Sequence, residues 1–190
     1  MKKVLYFAAL LLCAGLTSCE KEEIGGTATE ATAGKWYVMI DAVDDSGNPI
    51  DGGEDYFGLG EPIILLTYNT SANSASEMWI DDLGQFNVGA MYNAPYPSYC
   101  IKAKVSVDQS TLTFKSTEAP NFGYGWDGVD AMPVTIEGKI LEGAGHQKNG
   151  AAADSIVFFV SYKGDPWYPD DGYAKYKVSG IRYSGLVEND

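Results

Sequence analysis

The sequence predicts an all-β fold, an antiparallel up-and-down barrel of about eight strands. Three observations carry this. Apolar runs, alternating or continuous, recur along the chain and are bounded by Gly, Asn, Asp, Ser or Pro, which is the pattern of short strands and turns. No long stretch holds the 3.6-residue apolar period of a helix, although a short helix within 83–94 stays open. The connections alternate between long and short, as they do when successive loops of a meander fall at opposite ends of a barrel.

The chain opens with an address. Met1-Lys2-Lys3 is a basic n-region, and Val4 to Leu16 is an apolar h-region, shorter than the roughly 20 residues of a membrane-spanning helix. It ends in Leu16-Thr17-Ser18-Cys19, which resembles a bacterial lipobox. That resemblance implies cleavage before Cys19 and acylation of its sulfur and new amine; two or more acyl chains anchor stably where one is marginal. Ordinary signal-peptidase cleavage nearby is the alternative. Glu20-Lys21-Glu22-Glu23 resembles the acidic tag with which some Gram-negative groups export lipoproteins to the cell surface; a solvated acidic linker is the plainer reading. Together these imply an outer-membrane lipoprotein exposed at the cell surface. Gly25 to Ala33 is small and polar and reads as a flexible tether. The expected organisation is a signal peptide over 1–18, a lipidated Cys and tether over 19–33, and a single barrel domain over 34–190.

Composition bounds the mature protein. Removing residues 1–18 takes Lys2 and Lys3 and no acid, which leaves 172 residues and changes the net charge from −13 to −15. That length suits one domain with its own core. Such a chain repels nucleic acid phosphates and anionic lipid surfaces, so the acyl anchor rather than charge holds it to a membrane. With Cys13 removed and Cys19 lipidated, Cys100 has no partner for a disulfide and reads as a small buried hydrophobe.

The predicted strands are 34–43, 61–70, 76–82, 98–107, 110–116, 131–142, 154–163 and 173–187, with Gln85 to Val88 a possible ninth. The first opens at Gly34-Lys35-Trp36. The fourth alternates cleanly, with Ile101, Ala103, Val105 and Val107 on one face and Lys102, Lys104 and Ser106 on the other. The seventh, Ile156 to Val160, is apolar on both faces, which implies that something also covers the outside of the barrel there. In an eight-strand meander the loops 44–60, 83–97, 117–130 and 164–172 share one end, and 71–75, 108–110 and 143–153 share the other. The first set carries Tyr92, Tyr96 and Tyr99, then Phe122, Tyr124 and Trp126, then Trp167 and Tyr168. These broad amphipathic rings are placed as a ligand mouth or, alternatively, as loops folded back into a lid. An interior lined by Trp79, Phe114 and Phe158 would open toward them.

Two resemblances sharpen this reading. Gly34-Lys35-Trp36 resembles the G-x-W signature of lipocalin-type (calycin) barrels, in which the Trp plugs the closed end and an Arg of the last strand packs across it. The Arg would be Arg182, and a guanidinium over an indole is physically favourable. The stretches Ala153 to Tyr162 and Tyr176 to Leu186 resemble a family of Gram-negative lipoproteins whose label names lipid binding and a hydrolase activity, and which is placed among the calycins. Leu66-Thr67-Tyr68-Asn69, Met78-Trp79-Ile80-Asp81-Asp82 and Ile101 to Val105 also fit its pattern. The resemblance implies a lipocalin-like barrel and an apolar ligand.

Catalytic chemistry is thin. The one histidine, His146, has Asp154 and Ser155 as the nearest candidates for a triad, and no G-x-S-x-G elbow exists. The acidic pairs Asp44-Asp45, Glu54-Asp55, Asp81-Asp82 and Asp170-Asp171 put adjacent residues on opposite faces of any strand, so none supplies a glycosidase pair alone. Asp44 to Asp55 and Asp165 to Asp171 are candidate Ca²⁺ loops without EF-hand spacing. No catalytic residue, metal or cofactor is assigned. The expected ligand site is Trp79, Tyr92, Tyr96, Phe122, Tyr124, Trp126, Trp167 and Tyr168 on a monomer that binds a lipid or small apolar molecule. The alternative is a glycan-binding or glycan-hydrolysing surface protein whose aromatics stack on sugars, with a solid barrel interior.

Overall fold

Strand alternation drives the chain into eight strands, each pairing antiparallel with the next: β1 Gly34–Val43, β2 Ile63–Asn69, β3 Glu77–Asp81, β4 Lys102–Asp108, β5 Thr113–Ala119, β6 Val134–His146, β7 Ala152–Tyr162 and β8 Lys175–Arg182. β8 returns to β1 and closes the barrel. This is a computed structural model, and it describes residues 26–50, 60–86, 99–123, 131–166 and 175–186. The architecture is the predicted all-β, up-and-down barrel, consistent with a lipocalin-like fold.

The strands differ from expectation at their ends. Leu112 takes a positive φ of 53° before β5, so the strand starts later than the predicted 110–116. β6 runs beyond the predicted 142 because an irregularity between Leu141 and Gly145 lets it bend and resume pairing with β7. Gln85 lies outside any strand, with its side-chain carbonyl accepting from the Ile64 N–H at 3.0 Å.

Inward positions are apolar and outward ones largely polar, the reverse of a barrel that faces lipid with its outer wall. Trp36, Val38, Ile40, Leu65, Met78, Ile80, Ala103, Val105, Phe114, Ile136, Ile156, Phe158 and Val178 are buried in one continuous core. Phe114 and Phe158 meet edge-on in the lumen, 5.9 Å between centroids, which they can do because Gly138 has no side chain: a Cβ there would sit 2.7 Å from Phe114 Cζ and 2.2 Å from Phe158 Cβ. On the outside of β7, Phe159 is covered in part, with Lys175 Nζ 4.5 Å from its ring centroid and Gly47 beside its edge.

Residues 26–33, whose composition reads as tether, fold as turns against the closed end, with Thr29 and Thr32 buried. The reason is local bonding: Thr32 N and Ala33 N donate to Thr29 O, the Ala28 N–H reaches Asn73 Oδ1 at 2.9 Å, and Gln109 Nε2 reaches Thr32 Oγ1 at 2.9 Å.

Candidate functional site

Both ends of the barrel are built from side chains that the strand parity delivers. At the closed end Trp36 and Arg182 are register partners across β1 and β8, and the guanidinium lies 4.4 Å from the indole centroid. Trp36 Nε1 donates to Thr67 Oγ1 at 2.9 Å, and that hydroxyl donates to Thr32 O at 2.6 Å. Arg182 also donates to Asp154 Oδ2 at 3.1 Å and to the Ala33 and Ala31 carbonyls.

At the other end, from which the β1–β2, β3–β4, β5–β6 and β7–β8 connections leave, four buried aromatics converge. Phe86, Tyr99, Tyr162 and Tyr176 pack edge-to-face with centroids between 5.0 and 6.3 Å apart. Inward alternation along β7 (Ile156, Phe158, Val160, Tyr162) and β8 (Tyr176, Val178) ends at this floor on a Tyr. Buried phenols need acceptors, and they have them. Tyr99 and Tyr176 donate to the two oxygens of Asp165 at 2.5 and 2.8 Å, and Tyr162 donates to Tyr99 O at 2.6 Å. Burial raises the Tyr162 pKa well above its ordinary value, aided by the nearby Asp82 and Asp165 carboxylates, so it stays a donor. Asp82 closes the floor beside β3; burial pushes its carboxyl up to about 6, against the N–H groups of Gly84 and Phe86 that favour its charge.

Tyr99 belongs to the aromatics expected at the mouth rim; it is instead wholly buried in this floor, because its hydroxyl and ring both find partners inside. Of the expected ligand residues, Tyr92, Tyr96, Tyr124, Trp126, Trp167 and Tyr168 lie outside the described residues, as does Cys19. Trp79 does not line the lumen. Met78 and Ile80 take the inward positions of β3, and Trp79 faces out, edge-on to Phe122 at 5.9 Å and beside Lys104, whose Nζ is 5.7 Å from the Trp79 ring centroid. Phe122 is 62% exposed. Sequence reasoning missed Phe86, Tyr162, Tyr176 and Asp165 as a unit, although the parity of β7 and β8 carried the signal for the two tyrosines.

No hydrolytic triad forms from His146, Asp154 and Ser155. Asp154 and Ser155 are adjacent on β7 and point to opposite faces, and Asp154 is engaged by Arg182 and by the Gly143 N–H at 3.0 Å. Asp44 is likewise occupied, accepting from the Asn48 N–H and side-chain amide. Among the described residues no three His, Cys, Asp or Glu side chains gather as a metal-holding group. Cys100 is buried and forms no disulfide.

A family model described as "Lipid-binding putative hydrolase" matches residues 21–187, which takes in all eight strands. No curated protein matches the chain. A closed barrel within that family supports a lipid-binding role. With the match running through every strand of the barrel, this chain belongs to that lipid-binding family.

Proposed function

We propose that this protein is a membrane-tethered lipoprotein, acylated at Cys19, whose barrel takes a lipid or similar small apolar ligand at its open end. The observation that carries this is the aromatic floor of Phe86, Tyr99, Tyr162 and Tyr176 beneath the strand ends from which the aromatic connections leave. The four rings are themselves buried, so they serve as a rigid base beneath a ligand and present little contact surface of their own. Below the floor the lumen is packed with side chains, so the ligand sits above the floor rather than deep in the barrel, and Tyr92, Tyr96, Tyr124, Trp126, Trp167 and Tyr168 are the contacts the sequence proposes for it. The lipobox-like Leu16-Thr17-Ser18-Cys19 and the acidic residues behind it support attachment to an outer membrane with the barrel at the cell surface. The protein acts as a monomer, and binding rather than hydrolysis is its activity.

Native mass spectrometry of residues 24–190 before and after lipid extraction tests the ligand. An extra mass of a few hundred daltons, lost on extraction and reduced in Trp126→Ala/Trp167→Ala, is the expected result; a clean apo mass with no uptake of added fatty acid or phospholipid overturns it. Cys19→Ala should release the protein from membranes or leave unprocessed precursor, and normal retention refutes the anchor.

The packed lumen and the exposed Phe122 against Trp79 favour a second reading, glycan binding on the outer wall. The two rings cross at 72°, so they form no flat platform and one ring at most can stack on a given sugar. Glycan binding that is lost in Phe122→Ala, with no lipid bound, would select this reading.

A further inference from the structure

The outer wall carries a groove of about 670 Å³ across β4 to β7, away from the open end. That volume falls within the ~300–1,000 Å³ of small-molecule sites. Gly138 lies in its lining, where β6 packs without a side chain against Phe114 and Phe158 of the lumen. Val157 and Phe159 supply an apolar floor from the outward face of β7, both half-buried.

Charge then sorts the possible occupants. Lys115 and Lys139 are exposed at the groove, and neither has an ion-pair or hydrogen-bond partner for its ammonium among the described residues. Other lysines are engaged: Lys102 with Asp81, Lys104 with Glu77 and Lys163 with Glu118. Lys175 and Lys177 flank Phe159 on the β8 side. The carboxylates of the groove are Glu137 and Asp108, and Asp108 already accepts from the Ser110 N–H and hydroxyl. The lining thus holds two lysines against two carboxylates, with Glu137 opposite Lys115 in register and Asp108 already bonded. In a chain of net charge −13 the groove is therefore locally balanced, and its two ammoniums flank an apolar strip. An ammonium beside an apolar floor fits a molecule with a chain and an acidic head.

We propose that this groove is a second binding site, for an amphiphile with one acyl chain and an anionic head. The chain lies on Val157 and Phe159, and the head is held by Lys115 and Lys139. The site stands on observations independent of the open end.

The test uses the full-length protein in isolated membranes and a photoactivatable dodecanoate. Cross-links should map to peptides containing Val157 and Phe159, be displaced by plain dodecanoate, and resist dodecanol and inorganic phosphate. In Lys115→Glu/Lys139→Glu labelling of those peptides should fall by at least about fivefold, since each exposed charge contact is worth up to ~1 kcal/mol. Val157→Trp, which fills the groove without altering charge, should lower it as well. Labelling that is confined to other segments, or unchanged in the charge-reversed protein, overturns the proposal. Displacement by inorganic phosphate as effective as that by dodecanoate overturns the acyl part and leaves an anion site. Absence of labelling at the open-end segments, or its persistence there in Trp126→Ala/Trp167→Ala, counts against the open-end ligand and not against this groove.

Discussion

Arg182 faces Trp36 across the β1–β8 seam and covers its ring at 4.4 Å, so the last strand is fastened to the first by a side chain as well as by the ladder. The same guanidinium bonds Asp154 on β7 and the carbonyls of Ala31 and Ala33. Arg182→Ala should therefore cost about 2–4 kcal/mol, from one cation–π contact and the charge-assisted hydrogen bonds that are lost. Thermal melts and tryptophan emission will register it; Arg182→Lys should recover only part, because an ammonium's donors share one nitrogen and cannot reproduce the planar fork that stacks on Trp36 while donating to three partners. An unchanged melt and spectrum would refute the role.

Gly180 pairs in register with Val38 across the β1–β8 seam. A Cβ there would lie 1.9 Å from Tyr37 O and 2.7 Å from Val38 Cα, both backbone atoms that cannot turn aside. Gly180→Ala is expected to reach or exceed the upper end of the ~1–3 kcal/mol typical of overpacking. Hydrogen exchange should rise first in β1 and β8, and uniform protection with wild-type stability would count against this.

Asp82 binds its proton more tightly in the fold than in the unfolded chain, moving from an ordinary 3.8 to about 6 through burial. Below about pH 4 both states are protonated and the group is neutral toward stability. Between about pH 4 and 6 the unfolded chain loses its proton first, so this contribution falls as pH rises and then stays constant. At about 1.4 kcal/mol per unit the cost is on the order of 3 kcal/mol. Asp81 runs the other way, since Lys102, the Leu83 N–H and Tyr68 pull its pKa down although burial raises it. The stability difference between Asp82→Asn and wild type, from urea unfolding at several pH values, should move in favour of the variant across that window. A flat difference would sink the assignment.

Tyr99 carries the shortest bond of the aromatic floor, 2.5 Å to Asp165. Tyr99→Phe keeps the ring and removes the donor, with an expected loss of about 1.5–3 kcal/mol for a buried bond to a charged acceptor. Denaturant unfolding measures this, and a change under ~0.5 kcal/mol would mean that Asp165 is not organised by Tyr99.

How far the sequence reaches is clearest from contrasts within the barrel. Ile101 to Val107 alternates strictly, so its two faces are readable and the structure keeps them. Met78-Trp79-Ile80 is apolar at every position, so nothing local says which face is inside, and a five-residue strand offers no longer pattern to decide it. Neighbouring strands do: pairing with β4 sets Trp79 against Lys104 on the outer wall. The irregularities at Ser116/Ala119 and Leu141/Gly145 shift register through backbone geometry that periodicity does not encode. The aromatic floor joins Tyr99 to Tyr162 and Asp165, 63 and 66 positions along the chain, which puts it beyond any motif of fixed spacing.

The folded segment over 26–33 has a mechanical consequence. Its carbonyls are gripped by Arg182 on the last strand and by Thr67 on the second, and Gln109 holds it from the β4–β5 turn. A pull on the N-terminus is thus shared among three separate parts of the wall before β1 is loaded, and at β1 it acts along the strand, shearing the ladder instead of peeling it. The same grip pins the start of the described chain at the closed end, on the far side of the barrel from the aromatic floor, like a cord tied to the foot of a bell.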